Sequence, residues 1–188
     1  MAAAVASALR AAVFGGEREK ALAALPEYVK NDVKNAPEKD YLSPIALYRL
    51  SEMTAETLSE IADVKEGIEN RILRLAKECA DLPALVKAVS TKRYTESRVR
   101  RIVVNALLGV DKSTFEYAID EPSYYKVLAV KKDRTDILST LSSAGTLLTG
   151  EEEARQSGIA AAMIDAKAHD LYRVAKATEL EDGMLILP

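Results

Sequence analysis

A chain of 188 residues that is 48% hydrophobic and 29% charged can bury a real core, which excludes a disordered or low-complexity protein. Its single cysteine, Cys79, excludes an intrachain disulfide and points to a reducing compartment, and no run approaches the roughly 20 apolar residues of a membrane span. The net charge is −3, and with no Trp and only two Phe the core must be aliphatic.

Most of the first 120 residues read as helix. Val5, Leu9, Ala12 and Val13 recur at helical spacing, and Gly15-Gly16 stops that run. Arg10 interrupts the small apolar N-terminus, so a helix start in a cytoplasmic protein is expected rather than a signal peptide. A short helix over 17–24 ends at Pro26. Residues 31–42 hold Asn31, Asn35, Pro37 and Asp40 and read as a loop. Ser43-Pro44 reads as an N-cap and an N1 proline, and Thr54 as the next cap. After Gly67, one helical face carries Ile68, Ile72, Leu75, Ala76 and Cys79. Pro83 opens a short helix to about Val89. Beyond residue 120 the pattern changes. Tyr124–Val130 is β-branched and aromatic and predicts a strand. Residues 136–143 predict helix, 146–158 a turn-rich or acidic helical stretch, 159–177 helix, and MLILP a closing strand. The expected fold is mainly α: a helical body over 1–120 with a small α/β appendage over 121–188.

One stretch stands against the acidic total. Residues 90–101, STKRYTESRVRR, carry five basic residues and one acid. With Thr95 as N-cap, Val99, Ile102, Val103, Ala106, Leu107 and Val110 share one sector of a helix, and Arg98, Arg100 and Arg101 fall outside it. Lys92, Arg93 and Tyr94 sit just before the helix N-terminus, where free amides and the dipole favour an anion. Guanidinium forks, an ammonium and a tyrosine suit phosphates and bases. Arginines paired with acids elsewhere in the chain are the competing reading. Asn70 and Arg71 are a candidate second RNA contact. His169 with Asp165 and Asp170 reads as a surface histidine rather than a metal or acid–base site, Cys79 as a small buried hydrophobe, and Glu151-Glu152-Glu153 as a solvated helix start. No nucleophile–base pair or metal-ligand set is legible, so no catalytic or metal residues are assigned.

The segment TKRYTESRVRRIVVNALLGV resembles a signature of the bacterial tRNA(Met) cytidine acetate ligase family, nucleotidyltransferase-like proteins with a HIGH-type motif. DVKEGIENRI (Asp63–Ile72) is similar to a second family segment. YYKVLAVKKDRTDIL, AAMIDAKAHDLYRVA and the N-terminal VASALRAAVFGGEREKALAALPEYV resemble flanking ones. The resemblance implies an enzyme that activates acetate with ATP and acetylates the wobble cytidine of elongator tRNA(Met) to N4-acetylcytidine. It implies tRNA contacts at Lys92, Arg93, Tyr94, Arg98, Arg100 and Arg101. Arg10 then matches an arginine that contacts ATP, with Ser7 at a threonine position. The adenylation motif of these enzymes, His-x-Gly-His, needs two histidines, and this chain has only His169. A tRNA-binding C-terminal part is therefore expected, missing its nucleotidyltransferase domain and inactive alone, with no cofactor of its own. A protein-interaction module with a basic docking face, and one subunit of a split ligase, are the alternatives.

Overall fold

The computed structural model describes residues 12–13, 15–34, 41–120, 124–176 and 183–187. Among them the protein is mainly helical, with two parallel sheets of two strands each. The chain forms two compact units, Met1–Asp40 and Tyr41–Pro188. Ser7 and Arg10 lie outside the described residues.

In the first unit, α1 (Arg18–Ala23) and α2 (Glu27–Lys34) flank Pro26. The Arg18 guanidinium donates to the carbonyl of Lys34 at 3.0 Å and to that of Val33. These are end carbonyls with no helical partner of their own. The loop expected from residue 31 is corrected over 31–34, which are the last turn of α2. The Lys30–Glu27 pair at 2.7 Å and the half-buried Val29 and Val33, one turn apart, outweigh the turn preference of Asn31.

The second unit holds the main core. It is built by α3 (Leu42–Ser51), the short α4 (Ala55–Ser59), α5 (Ile68–Ala76), α6 (Leu82–Val89) and α7 (Glu96–Leu108). Its largest fully buried side chains are all Leu, Ile or Val, as the aromatic-poor composition requires. Val99, Ile102, Val103 and Ala106 of α7 recur at the helical period and are each 0% exposed. Cys79 packs half-buried against this core.

Thr54 caps α4 in a reciprocal box with Thr57, and Thr95 caps α7, accepting from the Arg98 N–H at 3.4 Å. Ser43 does not cap α3, which starts at Leu42 with Pro44 in its first turn. The Ser43 hydroxyl is buried and accepts the Leu82 N–H at 2.7 Å, a tertiary bond that ties α3 to the start of α6. Pro44 costs nothing there, because first-turn N–H groups have no helical acceptor. Asp81, not Pro83, begins α6, accepting the Ala84 N–H at 2.7 Å. Gly109, left-handed at φ +71°, ends α7, and α8 (Lys112–Asp120) follows.

The expected strand over 124–130 is two strands. β1 (Tyr124–Lys126) pairs with β3 (Thr146–Leu148), and β2 (Ala129–Lys131) with β4 (Leu185–Leu187), both in parallel. Residues 146–148 are thus strand where a turn was expected; a three-residue parallel strand is made by its partner rather than by local propensity. A 3-10 turn (Lys132–Arg134) and α9 (Asp136–Ala144) cross from β2 to β3. α10 (Glu151–Gln156) and α11 (Ala160–Lys176) close the unit, with α11 against α10, α7 and α8. Ala154, Ala162 and Ala166 are each 0% exposed where α10 and α11 meet, because small side chains let the two helices approach closely. No helix among the described residues is long and apolar enough to cross a membrane.

Candidate nucleic-acid interface

The basic cluster is assembled by two turns and the head of α7. Thr91 builds the first turn: its hydroxyl accepts the N–H groups of Arg93 and Tyr94, each at 3.2 Å, and its own N–H donates to the Tyr94 carbonyl at 2.9 Å. That turn stands Arg93 and Tyr94 beside the α7 N-terminus. The second turn, residues 62–67, is distant in sequence. Asp63, Glu66 and Gly67 have φ of +70°, +66° and +81°, so two non-glycine residues hold a left-handed conformation that L residues adopt sparingly.

The basic side chains hold that second turn. Arg98 donates Nε and Nη2 to the Asp63 carbonyl at 3.3 and 3.1 Å. Arg101 pairs with the Asp63 carboxylate at 2.8 Å, and Arg93 with that of Glu66 at 2.7 Å. The Tyr94 hydroxyl donates to the Glu66 carbonyl at 3.0 Å. The guanidinium carbons of Arg93 and Arg98 each lie 5.7 Å from the Tyr94 ring centroid, within cation–π range. Arg100 pairs with Glu96 on its own helix at 3.4 Å.

The structure therefore brings Arg93, Tyr94, Arg98 and Arg101 together, adds Asp63 and Glu66, and leaves Arg100 bonded to Glu96 on its own helix. It corrects one of them geometrically. Arg98 is half-buried and bonded to main chain rather than turned outward, because the left-handed turn presents the Asp63 carbonyl to its guanidinium. The competing reading, in which the arginines pair with the chain's own acids, holds for Arg93, Arg100 and Arg101, though the pairing is incomplete. Lys92 is exposed, with no bonding partner among the described residues. Arg93, Arg100 and Arg101 keep side chains 63%, 53% and 59% exposed, and Arg93 and Arg101 engage through Nε, leaving their Nη groups to solvent. Five cations face three carboxylates, so the face stays positive on an acidic protein.

The Arg93 hydrogen bond, and then its charge, hold the Glu66 carboxyl below its ordinary range. Such a depressed carboxylate contributes its full stabilisation above the unfolded value near 4.5. That contribution is lost as pH falls through the lowered folded value, because the unfolded chain then binds the proton more readily. Melting temperature should accordingly fall more steeply below about pH 4.5 in the wild type than in Glu66→Gln. Parallel acid limbs in thermal melts of the two proteins would contradict this.

Arg71 is not free for RNA: it donates to the carbonyls of Val89 and Ala88 at 3.0 and 2.7 Å and so closes the end of α6. Asn70 is exposed and bonds Glu69 at 3.3 Å.

A second polar group was not assembled by sequence reading. The Tyr124 hydroxyl donates to Asp165 at 2.6 Å, and Lys126 pairs with Glu151 at 2.5 Å. Burial, and then the Asp165 bond, push the Tyr124 phenol up to about 12. Glu151 is 7% exposed, not solvated as expected, because Lys126 projects from β1 onto it. Arg155 grips Asp170 with two N–H groups. His169 is half-buried with Nδ1 sealed from solvent, a correction to the surface reading. The alternation of Tyr124 and Lys126 along one strand was the available signal. No group of acids, His and Cys that could hold a metal occurs among the described residues.

The chain as a whole resembles known proteins. The model of the HIGH Nucleotidyl Transferase family matches residues 1–184, and the chain belongs to that family. Within it the resemblance is to tRNA(Met) cytidine acetate ligases. That of a Thermoanaerobacter species is 31% identical over 148 residues, 76% of this chain and 36% of the relative. That of Clostridium perfringens is 26% identical over 168 residues, 89% of this chain and 42% of the relative. The crystal structure of Thermotoga maritima TmcAL bound with alpha-thio ATP superposes with a TM-score of 0.76 at 17% identity. That match covers 96% of this chain and 52% of the other, which shows a shared fold. The chain spans less than half the length of the two curated relatives.

Proposed function

We propose that this chain is the tRNA-holding part of a tRNA(Met) cytidine acetate ligase. Residues 1–120 form its binding body and 121–188 a smaller α/β subdomain. The observation that carries the reading is the basic stretch Lys92, Arg93, Arg98, Arg100 and Arg101, with Arg93 and Arg98 beside the Tyr94 ring, in a family whose relatives are named for tRNA(Met). Lys92 and the free Nη groups meet phosphates, and Tyr94 packs on a sugar or base. Arg10 contributes to an ATP site completed by a nucleotidyltransferase domain beyond these residues. ATP and acetate are then reactants of the whole enzyme, and the 188-residue polypeptide alone forms no N4-acetylcytidine.

Filter binding of elongator tRNA(Met) across a salt series tests this. If all five cations engage, the slope of log K against log[salt] should be about −3.5 to −4.5, by counterion release. Lys92→Ala and Arg100→Ala should each reduce the slope by roughly one contact and leave thermal melts unchanged. A flat salt response, or a double variant that binds tRNA as the wild type does, would return the face to a protein partner or to the chain's own acids.

A further inference from the structure

The turn over 62–67 is tied to the basic stretch by two sets of bonds. One set goes to main chain. Arg98 donates to the Asp63 carbonyl, the Tyr94 hydroxyl donates to the Glu66 carbonyl at 3.0 Å, and Asn105 Nδ2 of α7 donates to the Ala62 carbonyl at 3.3 Å. The other set goes to side chains. Asp63 Oδ2 takes Arg101 Nε, and Glu66 Oε2 takes Arg93 Nε. The main-chain set spans the turn from Ala62 to Glu66, so neither carboxylate is needed to close it.

The side-chain set adds little to the fold. The Asp63 and Glu66 side chains are 40% and 46% exposed, and ion pairs so open to water contribute little stability. Yet the chain holds a glutamate at φ +66°, a conformation that asparagine takes more readily. What the two carboxylates do alter is the local field. With Glu96 they are the three acids set against the five cations of residues 92–101. Their removal doubles the positive excess from two to four. They also close one edge of each fork. An anion that approaches Arg93 or Arg101 on the Nε side meets like charge, and one that approaches the Nη end does not.

We propose that Asp63 and Glu66 are specificity residues of the arginine face: they turn away loose polyanions and admit a folded RNA whose phosphates reach the Nη ends of Arg93 and Arg101. This rests on the tRNA-binding reading and names what the face discriminates against. A flexible single strand binds basic surfaces mainly by counterion release, phosphate by phosphate. Each built-in carboxylate has already answered one cation, which cuts that gain. A folded RNA holds its phosphates at fixed positions and can set them beyond the carboxylates. A like charge placed against the wrong partner yields specificity without any new attractive contact.

The paired substitution Asp63→Asn with Glu66→Gln removes both charges at nearly constant volume, and asparagine tolerates a positive φ. Filter binding of elongator tRNA(Met) and of poly(U), an unstructured strand, to wild type and variant gives the preference for folded RNA. Poly(U) should bind the variant about fivefold tighter or more. Its slope of log K against log[salt] should steepen by about 0.7–1.4, one or two added single-strand contacts. tRNA(Met) should gain far less, so the preference for it should fall at least about threefold. Should the double variant fail to melt cooperatively, Glu66→Gln alone serves, with a gain for poly(U) of about twofold or more and a slope change of about 0.7. An equal gain for both ligands would mean plain charge removal and would overturn the inference. So would an unchanged preference in a folded variant, or a preference that falls only because tRNA binds more weakly. Wild-type binding separates this inference from the reading beneath it. If wild type binds tRNA(Met) with a steep salt response and the preference does not move, this inference alone falls. If neither protein binds tRNA(Met), the tRNA-binding reading falls with it.

Discussion

Ile102→Ala should be among the most destabilising single changes in this protein, costing about 2–5 kcal/mol. Ile102 is 0% exposed and sits in the middle of the buried face of α7, between Val99 and Ala106. The substitution leaves a cavity that close-packed aliphatic neighbours fill only in part. For a chain of this size that loss lowers the melting temperature by roughly 4–20 °C. The consequence reaches the candidate interface. A 13-residue helix is marginal on its own in water, so tertiary packing of its apolar face is what keeps it folded. Urea or thermal unfolding of Ile102→Ala beside wild type decides the point. A loss below about 1 kcal/mol would mean that this face does not seat the helix.

Arg98→Ala should behave unlike its neighbours. Arg98 gives two N–H groups to one carbonyl of a turn held at positive φ. Its removal leaves that carbonyl unanswered and frees the turn, at about 1.5–3 kcal/mol for charge-assisted bonds. Arg101→Ala removes only an exposed ion pair with the Asp63 side chain, a contact worth about 0–1 kcal/mol. The two variants therefore separate support from contact. Arg98→Ala should melt several degrees lower and exchange its 63–67 amides faster, whereas Arg101→Ala should alter tRNA affinity with a near-native melt. Equal melting of the two proteins would refute a supporting role for Arg98. A variant at Arg98 that loses RNA binding says little by itself about phosphate contact; Lys92 and Arg100 are the cleaner probes.

The acidic turn gives the arginine face a physical organisation of its own. Asp63 and Glu66 engage Nε of Arg101 and Arg93, which fixes the direction of each fork. A preorganised array gives up less side-chain freedom on binding than loose arginines do. On the proposed tRNA-binding reading the same carboxylates would compete with phosphate, and the salt dependence of binding and the acid sensitivity of the turn would be two readings of one network.

Elements with local causes were legible in the residues. The Thr54 and Thr95 caps, the apolar stripe of α7 and the aliphatic core each follow from a pattern within a few positions, because caps and 3.6-residue periodicity act over one or two turns. The basic character of residues 92–101 was equally plain. What those charges touch was not. Arg98 reaches the Asp63 carbonyl and Arg93 the Glu66 carboxylate, across more than a helix of intervening chain, and no spacing rule links them. Asp63 and Glu66 hold φ values that their residue types do not announce. Ser43 carries the signature of a cap and serves a tertiary bond to Leu82. The three residues of β3 become strand only because β1 lies beside them. A cleft lined by Lys126, Glu151 and His169 exists only where a strand end, a turn and a helix meet. Periodicity and capping are properties of adjacent residues, and the sequence by itself determined them. Ion-pair partners, left-handed turns and parallel pairing depend on which distant segments the core brings into contact, and only the tertiary structure decided those.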